Sequence, residues 1–136
     1  MPVCHIVCKG ASIYMNIGET LVNGQKIAVL TAGPGEILIS DTQSALDLMM
    51  SVKYQTGAAR IAMDKQAVNE AFFVLSTGLA GEILQKFINY GVKAAFWGDF
   101  SHYTSKPLRD FIRESNRGTN FFFVSTQAEA LEKLSQ

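Results

Sequence analysis

Ser76-Thr77-Gly78 interrupts an apolar run at Val74-Leu75, and apolar residues resume at once from Leu79 with helical spacing. A hydroxyl at such a point is expected to cap a helix, because it can accept from first-turn amides that have no intrahelical partner. Gly78 leaves the backbone there open to close approach. The chemistry within reach is modification of a hydroxyl, or contact with a partner, at a helix end. A second polar cluster, Asp99, His102, Tyr103, Thr104 and Ser105, follows the segment ending at Trp97. His102 could serve as a base near neutral pH, with Asp99 three residues away as its acid. However, no nucleophile elbow, no phosphate loop of the Gly-Lys-Ser/Thr type and no metal pair accompanies it, so no catalytic residue is assigned and no enzyme is expected.

Other segments invite sharper readings that their surroundings do not sustain. Cys4, His5 and Cys8 stand in CHIVC, but structural zinc needs four ligands, and His102 is the only other histidine. No metal or cofactor is expected, and the two thiols read as small apolar fillers on a strand. AGPGE, residues 32–36, is Gly-rich yet lacks the phosphate-binding lysine, so it reads as a turn. Phe121, Phe122 and Phe123 could stack on bases only beside a basic groove, and Arg117 is the one nearby cation. Their adjacency fits a strand covered on both faces.

The elements that must position these residues follow from periodicity and turn chemistry. Residues 4–15 read as a strand with a break at Gly10, and Asn23-Gly24 turns it back into Lys26–Leu30 as an opening hairpin. Ala32-Gly33-Pro34-Gly35 ends that second strand. Ser40 and Gln43 fit a capping box for a helix over about 41–55, closed by Gly57. Arg60–Met63 is a buried strand. From Thr77, Leu79, Ile83 and Phe87 form one helical row and Ala80, Leu84 and Ile88 another, until Gly91. Val92–Trp97 is the next strand. Thr104 or Ser105 opens a helix with Pro107 in its first turn, and Gly118 closes it. Asn120–Val124 is the last strand, and Thr126 with Glu129 caps a terminal helix.

That order predicts a single α/β domain with a mixed, mostly parallel sheet of about five strands, four helices and an N-terminal hairpin. Ligands of such sheets bind outside the carboxyl ends of the parallel strands. The loops 64–77, 98–105 and 125–126 should therefore share one polar rim, with Asp64, Asp99, His102 and Ser105 on it. A length of 136 residues with 48% hydrophobic content suits one packed core. Lys plus Arg number 12 and Asp plus Glu number 12, so no net field draws the chain to nucleic acid or anionic lipid. No apolar run approaches a bilayer span, and MPVCHIVCKG lacks the marks of a secretory signal, so a soluble cytoplasmic protein is expected.

RIAMDKQAVNEAFFVLSTGLAGEIL, then GVKAAFWG, then FFFVSTQAEAL resembles the STAS domain of anti-sigma factor antagonists and sulphate-transporter tails, over about residues 26–134. The resemblance implies a regulatory module in which a partner kinase phosphorylates a motif hydroxyl, here Ser76 or Thr77. The partner surface it implies is Ser76, Thr77, Gly78, Leu79 and Gly81, facing a kinase or sigma-regulatory factor. Leu75 stands where that motif has its acid, and Ala80 replaces its last Gly, leaving Asp64 and Asp99 as the nearby carboxylates. Nearly the whole chain, through ILISDTQSALDLM, LSTGLAGEILQKF and GDFSHYTSKPLRDFI, is similar to a family of small bacterial proteins of unknown function. The expected function is thus a non-enzymatic protein-interaction module. Its rival is a small-molecule binder or weak enzyme using the rim. Phe72, Phe73 and Trp97 are large enough to form a homodimer face if exposed.

Overall fold

The computed structural model describes residues 3–8, 11–31 and 36–136, with side chains described from Ile17 onward. Six strands and four helices run β1 (Val3–Cys8), β2 (Ala11–Val22), β3 (Gln25–Thr31), α1 (Thr42–Thr56), β4 (Arg60–Asp64), α2 (Leu79–Asn89), β5 (Lys93–Trp97), α3 (Lys106–Arg117), β6 (Phe121–Val124) and α4 (Gln127–Leu134). Three short 3-10 turns, Lys65–Ala67, Glu70–Phe73 and Leu75–Thr77, fill the connection between β4 and α2. The strands lie in the sheet in chain order. β1, β2 and β3 form an antiparallel meander, and β3 to β6 pair in parallel. The sheet is therefore mixed and mostly parallel, as expected.

It has one strand more than expected because the opening segment folds as two paired strands, β1 and β2. Gly10 and the Ala32–Gly35 turn lie outside the described residues, as do the side chains of Cys4, His5 and Cys8. The Asn23-Gly24 turn is present, with φ of 53° and 79° that suit a tight two-residue hairpin.

Strand alternation decides what each face buries. Ile61, Met63, Ala94, Phe96, Phe121 and Phe123 join the core beneath α1, α2 and α3. Their intervening neighbours Ala62, Ala95 and Phe122 meet Ala130 and Leu134 of α4 on the opposite face. Three parallel crossovers stepping one strand at a time in one direction, all of one hand, put their connecting helices on a single side. The Phe121–Phe123 run is thus covered on both faces. Small alanines on the α4 side let that short helix lie close to the sheet.

Helix ends follow local chemistry, and α1 corrects the expected cap by one residue. Asp41, rather than Ser40, is the N-cap: its carboxylate accepts from the Ser44 amide at 2.8 Å, and Ser44 Oγ accepts from the Asp41 amide at 3.0 Å. Ser44 replaces Gln43 as the reciprocal partner because only the N3 side chain reaches back to the cap. Thr126 caps α4 through the Glu129 amide, as expected. On α2, Ala80, Ile83, Leu84 and Phe87 are buried, while Ile88, expected in the apolar rows, is half exposed.

Phe72 and Phe73 are 1% and 4% exposed, so neither can contribute to a dimer face. They are core rings because the turn carrying them tucks under the rim. Trp97 is half buried against the α4 cluster. No described helix is long and apolar enough to cross a membrane.

Candidate functional site

The carboxyl ends of β4 and β5 stand side by side, with Asp64 in register with Trp97, so the chain leaving each enters the same rim. The loop after β4 is anchored from behind. Residues 38 and 39 donate to Ala67 O at 2.7 and 3.0 Å, and Asn69 N donates to Ile39 O at 2.9 Å. Asp64 and Asn69 each accept from the amide two residues on, giving consecutive Asx turns that wind the segment tightly. This winding delivers Glu70 and Phe73 to the space above the sheet.

That space is an open cleft of about 460 Å3 between residues 70–76 on one side and 102–108 on the other. Ser76, His102 and Ser105 line it, so the structure brings together three of the residues marked out by the sequence. It does not bring the two aspartates with them. Asp64 spends its carboxylate on the Gln66 amide, and Asp99 accepts from the Ser101 amide and hydroxyl in a separate hollow that includes Ser125. A short Asp side chain at a strand end folds back on its own turn. The expected pocket of Asp64, Asp99, His102 and Ser105 is therefore replaced by one in which Glu70 supplies the carboxylate.

Neither Ser76 nor Thr77 is the N-cap of α2, correcting the expected role. Gly78 occupies that position with φ of 74°, a left-handed conformation that glycine adopts without strain. Thr77 Oγ1 lies 2.8 Å from Val74 O and 3.0 Å from Ala71 O and accepts from the Leu79 amide, so its hydroxyl ties the Leu75–Thr77 turn to α2. Ser76 is exposed and makes no side-chain hydrogen bond among the described residues. Gly78 and Gly81 are exposed as well, whereas Leu79 packs partly into the core.

The strongest polar constellation at the rim, Lys65, Glu70 and Tyr103, was not singled out by the sequence as a group. Lys65 Nζ pairs with Glu70 Oε1 at 3.1 Å, and Tyr103 OH stands 3.1 and 3.0 Å from the two carboxylate oxygens. The Lys65 ammonium also lies 5.4 Å from the Phe73 ring centre and 5.0 Å from that of Tyr103. These two rings stack with centroids 5.3 Å apart. The group clasps the loop after β4 to the loop after β5.

Burial pulls the Lys65 ammonium down, but the pull of Tyr103 and Glu70 outweighs it and holds the group above its usual value. Burial pushes the Glu70 carboxyl up, yet hydrogen bonds from Lys65 and Tyr103 win and hold it below the usual carboxylate range. Tyr103 is raised, by burial first and with help from Glu70, against the opposing effect of Lys65. Each shift moves away from neutrality, the reverse of the tuning a general acid or base needs. The arrangement suits an ionised clasp. Among the described residues no cluster of His, Cys, Asp and Glu is built to hold a metal.

Gly98 lets the clasp form. Its φ is 155°, and a Cβ there would stand 2.9 Å from Lys65 Cβ. Gly98→Ala should displace Lys65 and cost about 1–3 kcal/mol through backbone strain and the steric clash. Thermal denaturation checks this; a melting temperature within about 1 °C of the parent, the smallest shift worth reading, would show that the close approach is not needed.

A family model described as "Domain of unknown function (DUF4180)" matches residues 22–134. The match lends no support to kinship with STAS domains. No curated protein and no solved structure matches the chain.

Proposed function

Since the chain belongs to that family of unknown function, we propose from geometry that it is a non-enzymatic binding protein whose rim cleft takes up a small organic ligand. The observation that carries this reading is the cleft itself. Its volume of about 460 Å3 falls within the range of small-molecule sites. Phe73, Val74, Leu75, Pro107 and Leu108 supply apolar walls, and Glu70, Ser76, His102, Thr104 and Ser105 supply a few polar groups to fix orientation. A clasped pair of loops holds that shape before anything binds, which lowers the ordering cost of binding.

A metabolite screen by thermal denaturation tests the reading. A ligand at about 100 times its Kd should add about 2.7 kcal/mol, a rise of several degrees. His102→Ala should weaken that rise. A screen with no shift, or a hit indifferent to His102→Ala, would count against the cleft.

A second reading is favoured by one specific observation, the exposed Ser76 hydroxyl just outside α2, which has no hydrogen-bond partner among the described residues. In this reading another protein, such as a kinase or sigma-regulatory factor, binds the rim in the manner of a STAS-type switch, and phosphorylation of Ser76 regulates it. A phosphate there would carry about −1.5 to −2 charges, tolerated near the amino end of α2 and disruptive in an apolar interface. Thr77 is the poorer acceptor because its hydroxyl already joins two turns. Phosphate on the 74–84 peptide from the native host supports this reading; an unmodified peptide under all growth conditions removes the switch.

A further inference from the structure

Among the described residues one ion pair borders the cleft, and it is buried asymmetrically. The Lys65 side chain is 11% exposed and the Glu70 side chain 66% exposed. The cation lies behind, against the Phe73 and Tyr103 rings. What an incoming molecule meets first is the carboxylate.

That carboxylate is also under-used. Two oxygens offer about four acceptor sites. Lys65 fills one, and the single hydroxyl proton of Tyr103 can satisfy only one more, although it lies within reach of both oxygens. About two sites therefore remain on the exposed side. The same cleft is lined by the Ser76, Thr104 and Ser105 hydroxyls, each able to accept, and by apolar surface from Val74, Leu75 and Pro107.

We propose that the cleft takes a protonated amine carried on a small apolar body. This inference rests on the reading of the cleft as a ligand site and names the ligand class. The ammonium donates to the open sites of Glu70 and to a neighbouring hydroxyl, while the apolar body displaces water from the walls. The groups facing Glu70 are Lys65, Tyr103 and His102. Lys65 weakens the attraction at long range but is too deep to compete for the open sites. The start of α3 at the far wall offers a positive helix end, so an acid is the rival ligand.

Three probes of one shape separate these cases: 2-phenylethylamine, 2-phenylethanol and 3-phenylpropionate, titrated into the 15N-labelled protein. The amine should bind about tenfold tighter than the alcohol, as a charge-assisted bond requires, with the acid weakest. Shifts should concentrate at residues 74–76 and 103–105. Glu70→Gln, which keeps the side-chain length and an acceptor for Lys65, should abolish the amine preference while leaving alcohol binding. Equal or tighter binding of the alcohol or acid overturns the inference and leaves the cleft reading standing. An amine preference that survives Glu70→Gln also overturns it, since the carboxylate would then not be what holds the ammonium. No cleft shifts with any probe removes both.

Discussion

Phe123→Ala should lower stability by about 3–5 kcal/mol, a large part of what a domain of this size holds in reserve. The expected fall in melting temperature is on the order of 10 °C. Phe123 is the hub of the aromatic core. Its ring stacks on Phe96 at 5.2 Å and meets Phe72, Phe73, Phe100 and Phe111 at 5.7–6.4 Å. Removal leaves a cavity bordered by rings from β5, α3 and both rim loops, which cannot all collapse inward together. The rim should loosen with the core, because Phe73 is the ring beneath Lys65 and Phe100 lies 6.2 Å from Tyr103. The single tryptophan, Trp97, sits on the neighbouring strand and gives the urea-unfolding signal. Phe122→Ala is the control: it empties the α4 face instead, so it should destabilise while leaving Tyr103 and Phe73 resonances in place. A Phe123→Ala protein that melts within about 2 °C of the parent, well short of the expected fall, would mean these rings do not act as one packed unit.

The same rings explain how far the sequence could be read. Short apolar runs between turns, glycines at helix ends and the Thr126 cap made the order of elements legible because each is a local preference that the tertiary structure did not override. The loops after β4 and β5 also leave the sheet side by side, as the order of strands implied. What stayed hidden depends on separations that local patterns do not report. Lys65 and Tyr103 meet across 38 positions of sequence only because β4 and β5 lie adjacent and in register. Asp64 and Asp99 looked like the working carboxylates because both follow strands, but each has a backbone donor two residues away and turns toward it. Glu70, longer and set on a turn that leans over the sheet, reaches the cleft. The usable signal was the pair of Asx residues Asp64 and Asn69, whose consecutive turns aim the residues after them.

Asn116→Leu should cost about 2 kcal/mol and, uniquely among these changes, should promote self-association. β6 is the last strand of the sheet, so its outer edge has no strand partner among the described residues. At that edge Asn116 Oδ1 accepts from the Phe123 amide at 2.7 Å and Asn116 Nδ2 donates to Phe123 O at 3.0 Å. One side-chain amide thus takes the place of a peptide group on a neighbouring strand. Leucine keeps the same branched outline but has no polar atoms, leaving a part-buried donor and acceptor without their partner; water recovers some of the loss. An edge freed in this way can pair with a second copy. The substitution Asn116→Asp refines the test. The introduced carboxylate still accepts from the Phe123 amide but faces the Phe123 carbonyl as a second acceptor, and only the protonated acid can donate there. Asn116→Asp should therefore be destabilised at neutral pH and regain stability relative to the parent as the pH falls through the titration of the new carboxyl, whose folded-state value is raised by that carbonyl. Equilibrium unfolding across pH, with sedimentation at two protein concentrations for Asn116→Leu, checks both parts. A monomeric Asn116→Leu with parental stability would mean that solvent serves the Phe123 edge as well as the amide does.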